Sequence, residues 1–430
     1  AAESAGKAGL SVLLIEKNNL GGVCLNEGCI PTKTLLYSAK TYDSAKHASK
    51  YAINVSEVSF DLSKIIVRKS KVVRKLVLGV KAKLASNNVA IVSGEAQIID
   101  KNTVRCGEET YEGENLILCT GSETFIPPIP GVETVNYWTH RDALDNKELP
   151  ASLAIVGGGV IGMEFASFFN SLGVQVTVVE MLDEILGGMD KELSALLRAE
   201  YAKRGIKFLL STKVVGLSQT EGAAVVFYEN AEGSGSVVAE KLLMSVGRRP
   251  VTKGFGLENL NLEKTERGAV KVDEKMQTSV PGVYVCGDLT GFSLLAHTAV
   301  REAEVAVHSI LGEDAMSYRA IPGVVYTNPE IAGVGETEES ASAKGITCQV
   351  IKLPMAYSGR FVAENEGVNG VCKVLLDEQG RVIGAHVLGN PASEIITLAG
   401  TAIELGLTAA QWKKIVFPHP TVGEIFREAL

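Results

Sequence analysis

The chain has 430 residues, of which 46% are hydrophobic and 21% charged, and it carries a net charge of −8. That length accommodates about two to four domains with large cores. The acidic balance argues against a nucleic-acid partner, because no basic stripe dominates, and no apolar run reaches the length of a membrane span. Seven Cys in 430 residues are too few for a secreted disulfide scaffold and fit a reducing compartment, the cytoplasm, with the mitochondrial matrix as the eukaryotic counterpart.

Residues 1–8 read as the end of an Ala-rich helix, and Gly9 suits the position just past its C-terminus. Residues 11–15, Ser-Val-Leu-Leu-Ile, form a buried strand that ends at Glu16. This is the second half of a βαβ nucleotide-binding unit, whose first strand and Gly-rich turn are expected immediately upstream of Ala1. Helices are predicted over residues 34–49 and 62–87, and strands over 89–93, 97–105 and 115–119. Thr120-Gly121-Ser122 ends the last of these strands, and residues 126–131 are a Pro-rich loop.

Between Glu16 and the first of those helices lies Cys24-Leu-Asn-Glu-Gly-Cys29-Ile-Pro-Thr-Lys33. In a regular helix five steps of about 1.5 Å separate the two Cα atoms by roughly 8 Å, whereas a disulfide spans about 4.4–6.8 Å. The pair can bridge only where the backbone bends. Gly28 permits a bend, and Pro31 removes a helical hydrogen bond. Three readings stand on spacing alone: redox chemistry, a buried core pair, and half of a zinc site. Zinc would want a second ligand pair nearby, and none follows. Cys106, Cys119, Cys286, Cys348 and Cys372 are scattered singly and read as core or surface residues.

A second unit starts after a linker at 146–151. The strand 153–156 runs into Gly157-Gly158-Gly159-Val160-Ile161-Gly162, a helix follows over 163–172, and a strand at 176–179 ends in Glu180. A Gly-rich turn alone is weak. Here it follows a strand, opens a helix and precedes a strand-end carboxylate, which is the context of a dinucleotide site. Gly157, Gly159 and Gly162 let the backbone approach a pyrophosphate at the helix N-terminus. Glu180 would accept from the ribose hydroxyls and repel a 2′-phosphate, so NAD is expected over NADP. Glu16 and Glu180 end equivalent strands, a weak internal repeat. Two such folds need two nucleotides, and flavin with nicotinamide is the natural pair.

The Cys motif closely resembles that of the flavin-dependent disulfide oxidoreductases, most of all the dihydrolipoamide dehydrogenases; glutathione and mercuric reductases tend to carry Val where this chain has Leu25 and Ile30. Val283-Tyr-Val-Cys-Gly-Asp288 followed by Leu295-Ala296-His297 resembles the family's second FAD motif, and Gly247-Arg-Arg-Pro250 its turn near the nicotinamide. His419-Pro-Thr-Val-Gly-Glu424 matches its acid–base pair, although a Pro-flanked His alone reads as a tight turn. The resemblance covers nearly the whole chain. It implies an α/β fold with two Rossmann-like dinucleotide-binding domains and a C-terminal α+β dimerisation domain. FAD is assigned to 1–150 with 271–318, NAD to 151–270, and subunit pairing to 319–430.

The resemblance also implies residue roles. Cys24 and Cys29 form the redox disulfide, and His419, oriented by Glu424, serves as base at the partner subunit's disulfide. Glu16, Thr120, Gly121, Ser122, Asp288 and Ala296 contact FAD, Lys33 and Glu164 form an ion pair beside the flavin, and Gly247 lies near the nicotinamide. The implied activity is oxidation of dihydrolipoyl groups by NAD+ in a homodimer, with the lipoyl carrier domain of a multienzyme complex as partner. Glutathione- or mercuric-reductase-like activity is one alternative. The other is an inert, FAD-free chain lacking the first Gly-rich loop.

Overall fold

A computed structural model describes residues 1–312 and 315–430. They fall into two compact units. The first comprises Ala1–Pro31, Val67–Phe125 and Gly247–Ser317, and the second Thr32–Ile66, Ile126–Val246 and Tyr318–Leu430. The division at Val246 precedes the boundary at residue 271 that the resemblance implies.

In the first unit the helix Ala2–Lys7 ends as expected, with Gly9 at φ +80°. Leu13–Glu16 pairs in parallel with Ala90–Ser93, and Leu116–Leu118 with Val283–Val285. Leu118, Leu257, Val283, Val285 and Leu289 form the core beneath the second pair. The stretch 97–105 is not one strand. Ala96–Ile98 and Thr103–Cys106 are antiparallel arms joined at Asp100, and Glu109–Glu112 adds a third arm. The reason is local: the Asp100 carboxylate accepts from the Asn102 N–H at 2.8 Å, and such a side-chain bond offers the backbone a turn in place of a ladder.

In the second unit a parallel sheet has the order Lys207–Leu209, Gln175–Val179, Ser152–Val156, Lys241–Met244, Tyr137–Trp138. Its central strands are unbroken apolar runs at 153–156 and 242–244, as expected where both faces are covered. Leu153, Ala154 and Ile155 are wholly buried, and each large aliphatic contributes about 1.5–3 kcal/mol. An antiparallel meander over Lys213–Thr220, Ala223–Asn230 and Gly233–Ala239 follows. Residues from 323 onward form an antiparallel five-stranded sheet, ordered Gly323–Val325, Ile331–Gly335, Val382–Leu388, Val371–Asp377, Cys348–Pro354. The helix Ala392–Glu404 buries its apolar face on that sheet.

Lys373 lies within this second unit with only 2% of its side chain exposed. Its ammonium sits 2.9 Å from Asp190, 2.9 Å from Glu192 and 2.6 Å from Glu338. Burial alone would lower its pKa; the three carboxylates outweigh burial and hold it well above the usual lysine value. Asp190 also caps the helix Lys191–Lys203 by accepting from the Leu193 N–H.

Candidate active site

The Cys motif folds as two helices with a break between them. Gly22–Glu27 begins after Gly21 at φ +106°, and Cys29–Lys46 begins at the second cysteine itself. The second helix therefore starts five residues before the predicted position, with Pro31 in its first turn, where a missing N–H costs nothing. At the break a Cβ on Gly28 would lie 3.1 Å from the Val23 carbonyl oxygen and 3.2 Å from the Cys24 Cα. Glycine lets the chain fold back this closely without displacing its neighbours. The result is a Cys24–Cys29 disulfide with Cα atoms 4.6 Å apart. Both cysteines remain partly exposed. Asn26 secures the preceding loop, its amide donating to the Leu20 and Gly22 carbonyls at 3.1 and 2.9 Å.

The Gly-rich turn shows three different needs for glycine. Gly157 has φ +105°, and a Cβ there would sit 2.5 Å from the Ser245 carbonyl oxygen. On Gly162 a Cβ would meet the Gly157 carbonyl oxygen at 2.0 Å. Around Gly159 nothing lies within 4 Å of an added Cβ. Two glycines therefore serve packing, and the third leaves open space at the N-terminus of Val160–Ser171. That space and the free N–H groups beside it fit a pyrophosphate. Ser245 ties the turn down by donating to the Val156 and Gly157 carbonyls; sequence reading missed it, since a Ser after an apolar strand carries no signal.

Glu180 faces this turn, accepting from the Gly158 N–H at 2.6 Å and the Leu182 N–H at 2.8 Å. Glu16 accepts in the same manner from the Asn18 N–H, also at 2.8 Å. The internal repeat thus extends to the hydrogen bond each strand-end carboxylate receives from the residue two places on.

In the first unit, Ser122 donates to Asp288 at 2.5 Å. Arg248 donates from Nε to Ser122 Oγ at 2.7 Å and from Nη2 to its carbonyl at 2.6 Å. The strand Arg248–Pro250, just past Gly247 at φ +121°, pairs with Ser122–Thr124. Gly247 and Arg248 therefore stand with Ser122 and Asp288. Thr120 donates to the Val251 carbonyl at 3.1 Å, and Gly121 has φ +70° with open space around it. Glu302, fully buried, accepts from the Gly287 N–H at 2.6 Å and fixes the turn before Asp288; sequence reading missed this carboxylate too. Ala296 is the exposed first residue of the helix Ala296–Ile310.

Lys33 and Glu164, 131 positions apart, are paired: Nζ lies 2.9 Å from both carboxylate oxygens. Glu164 is nearly buried, with a side chain 4% exposed, and it also accepts from the Tyr326 N–H at 3.1 Å. Lys33 lies 4.6 Å from the Tyr326 ring centre.

His419 Nδ1 lies 2.9 Å from Glu424 Oε1. A carboxylate only accepts, so Nδ1 carries the proton and Nε2 is left as a base. Thr421 positions the carboxylate by donating its N–H to Glu424 Oε2 at 2.7 Å. That bond first, and His419 second, hold the Glu424 carboxyl below the usual range. Buried Val422, Ile425 and Phe426 anchor the segment, yet the His419 side chain is 79% exposed.

A disulfide folded across a helix break and a Gly-rich turn shaped for a pyrophosphate are features of a disulfide oxidoreductase. The chain belongs to the pyridine nucleotide-disulphide oxidoreductase family, whose model matches residues 1–303 and whose dimerisation domain matches 321–430. The second match makes the assembly a homodimer. The chain is 38% identical over 435 residues to the dihydrolipoyl dehydrogenase of Geobacillus stearothermophilus, covering 100% of this chain and 92% of that one. It is 39% identical over 426 residues to that of Thermus scotoductus, covering 98% and 92%. Among solved structures, LpdA from Mycobacterium tuberculosis superposes with a TM-score of 0.91 at 26% identity, over 100% of this chain and 95% of that one. The HOCl-induced flavoprotein disulfide reductase RclA from Escherichia coli gives 0.87 at 30% identity, again over 100% and 95%. Among the described residues no helix is long and apolar enough to cross a membrane, and no cluster of His, Cys, Asp and Glu is suited to a metal.

Proposed function

We propose that this chain oxidises dihydrolipoyl groups with NAD+, with the Cys24–Cys29 disulfide accepting the electrons from substrate. The observation that carries this reading is that disulfide, folded across a helix break with its Cα atoms 4.6 Å apart. FAD, held through the residues assigned below, would supply the two-electron relay between the thiols and a nicotinamide. The chain's own residues move the protons and sulfurs. His419 of the partner subunit takes a proton from the substrate dithiol. The resulting thiolate attacks Cys24 Sγ, the Cys24–Cys29 bond breaks, and Cys29 departs as a thiolate. The second substrate thiol attacks the sulfur joined to Cys24, the lipoyl disulfide forms, and Cys24 departs with the proton held by His419, which takes the proton of the second thiol in its place. Glu424 keeps the imidazole aligned throughout.

FAD is assigned to residues 1–150 with 271–318, through Glu16, Thr120, Gly121, Ser122, Asp288 and Ala296, and Lys33–Glu164 supplies the ion pair that the resemblance sets beside the flavin. NAD is assigned to 151–270, through Gly157, Gly159, Gly162, Glu180 and Gly247, and subunit pairing to 319–430. The partner is a lipoyl carrier domain, and the compartment a reducing one. An NADH-dependent assay offering lipoamide, glutathione disulfide and mercuric ion tests the proposal. Lipoamide is expected to be reduced fastest; faster turnover of either rival would overturn it.

A further inference from the structure

His386 is a buried imidazole with one nitrogen left over. It lies on the strand Val382–Leu388, opposite Gly333 on one neighbouring strand and Lys373 on the other, and only 3% of it is exposed. Its Nε2 lies 2.8 Å from the Glu336 carbonyl oxygen. A carbonyl only accepts, so Nε2 carries the proton and Nδ1 is a bare acceptor. Among the described residues Nδ1 meets no donor. A Cβ on Gly333 would lie 2.5 Å from it, so the ring fills the space that a side chain would take there. Lys352, Lys373 and His386 stand in one row across three strands, where directly opposed side chains are about 4.5–5.5 Å apart at Cβ. The carboxylates over this row are already committed. Asp190 and Glu192, at the start of the helix Lys191–Lys203, hold Lys373, and Glu192 also meets Lys352. On the helix Glu338–Ala343, Glu338 holds Lys373 as well, and Glu339 follows it. The Glu336 carboxylate is engaged by Ser340 and Lys344. Ala385 and Val387, the strand neighbours of His386, join the apolar cluster with Ala392–Glu404, so that helix lies on the sheet's other face. Burial, the largest influence, opposes a proton on His386, as does Lys373, while the Glu336 carbonyl, Asp190 and Glu339 favour one.

We propose that His386 is a proton-operated release for the layer formed by this sheet and the two helices that carry the carboxylates. Neutral, the ring is an uncharged spacer between Gly333 and Lys373. A proton on Nδ1 creates a second cation beside Lys373, in a place that offers the new N–H no acceptor. An unpaired buried charge is far costlier than a solvated one, so the proton is accommodated by opening the row to water. Opening frees the sheet from the helices Lys191–Lys203 and Glu338–Ala343. The direction of the response follows from the lowered His386 pKa. The layer is fully held above the ordinary His value of about 6.5 and loosens as pH falls from there through the lowered one.

Backbone hydrogen exchange across Val382–Leu388 in the full chain, corrected for the intrinsic effect of pH, tests the release. Protection is expected to fall about tenfold for each pH unit below about 6.5, the dependence of an opening that takes up one proton. In His386→Gln, which has no proton to take up, protection should stay level. Equal slopes in the two chains overturn the proposal. A second measurement needs only the wild-type chain and so stands even where the variant fails to fold. Deuterium exchange at the imidazole C2 atoms, read by mass spectrometry, follows the titration of each His. His386 is expected to titrate below its ordinary value, and a midpoint at or above about 6.5 overturns the proposal.

Discussion

At the scale of single residues, the base role proposed for His419 separates acid–base work from electron transfer in its test. Glu424 is fixed by the Thr421 N–H before it ever meets the imidazole, so the ring is oriented by a group that is itself held. Its carboxyl pKa is depressed. The contact is therefore present above the ordinary Glu value of about 4.3 and is lost only as pH falls through the lowered one. His419→Gln should slow lipoamide turnover by about 10²–10⁴-fold, the usual worth of general-base catalysis, while transfer from NADH to an artificial acceptor continues. Equal losses in both assays would exclude the base role. Cys24→Ser should retain flavin and abolish lipoamide turnover; surviving turnover would move the chemistry elsewhere. Glu180→Ala should narrow the gap between NAD and NADP, and an unchanged ratio of kcat/KM values would sink the ribose assignment.

At the scale of elements, the Gly-rich turn predicts opposite outcomes from two similar changes. Gly162→Ala drives a methyl group to 2.0 Å from the Gly157 carbonyl, and overpacking of this kind costs about 1–3 kcal/mol. A lowered Tm is expected whether or not NAD is present. Gly159→Ala meets nothing, so its Tm should stay put while NAD affinity falls. The same turn marks what could be read from sequence. Strand, glycines, helix and Glu180 are contiguous, so their geometry is written in local order, as is the fold-back at Gly28. The hairpin at Asp100 was misread because a side-chain-to-backbone bond broke an otherwise apolar alternation. Pairs made by topology left no trace: nothing near Lys33 names Glu164, and nothing near Ser122 names Arg248. Only strand order and register bring those residues together.

For the whole molecule, two expectations concern assembly and stability. If His419 serves the partner's disulfide, subunits carrying Cys24→Ser and His419→Gln complement each other. Random pairing in a two-fold dimer makes half the dimers mixed, each with one intact site, so activity should recover to about a quarter of wild type. No recovery would confine the site to one chain. Lys373→Met leaves Asp190 buried without its cation, a change that costs about 3–5 kcal/mol in comparable buried pairs. Because the Lys373 pKa is raised, that stabilisation is fully present below the ordinary lysine value of about 10.4 and is lost only as pH rises through the raised one. Urea midpoints of the two chains should therefore differ at neutral pH and converge in strong alkali. The paired carboxylates, Glu16 bonded to Asn18 and Glu180 to Leu182, carry a consequence for ancestry. Each half of the repeat keeps the carboxylate proposed to recognise its nucleotide on its own strand end. Selection can thus retune the preference of one half for its nucleotide while the other half drifts on a separate course, which gives a duplicated scaffold two independent routes to new chemistry.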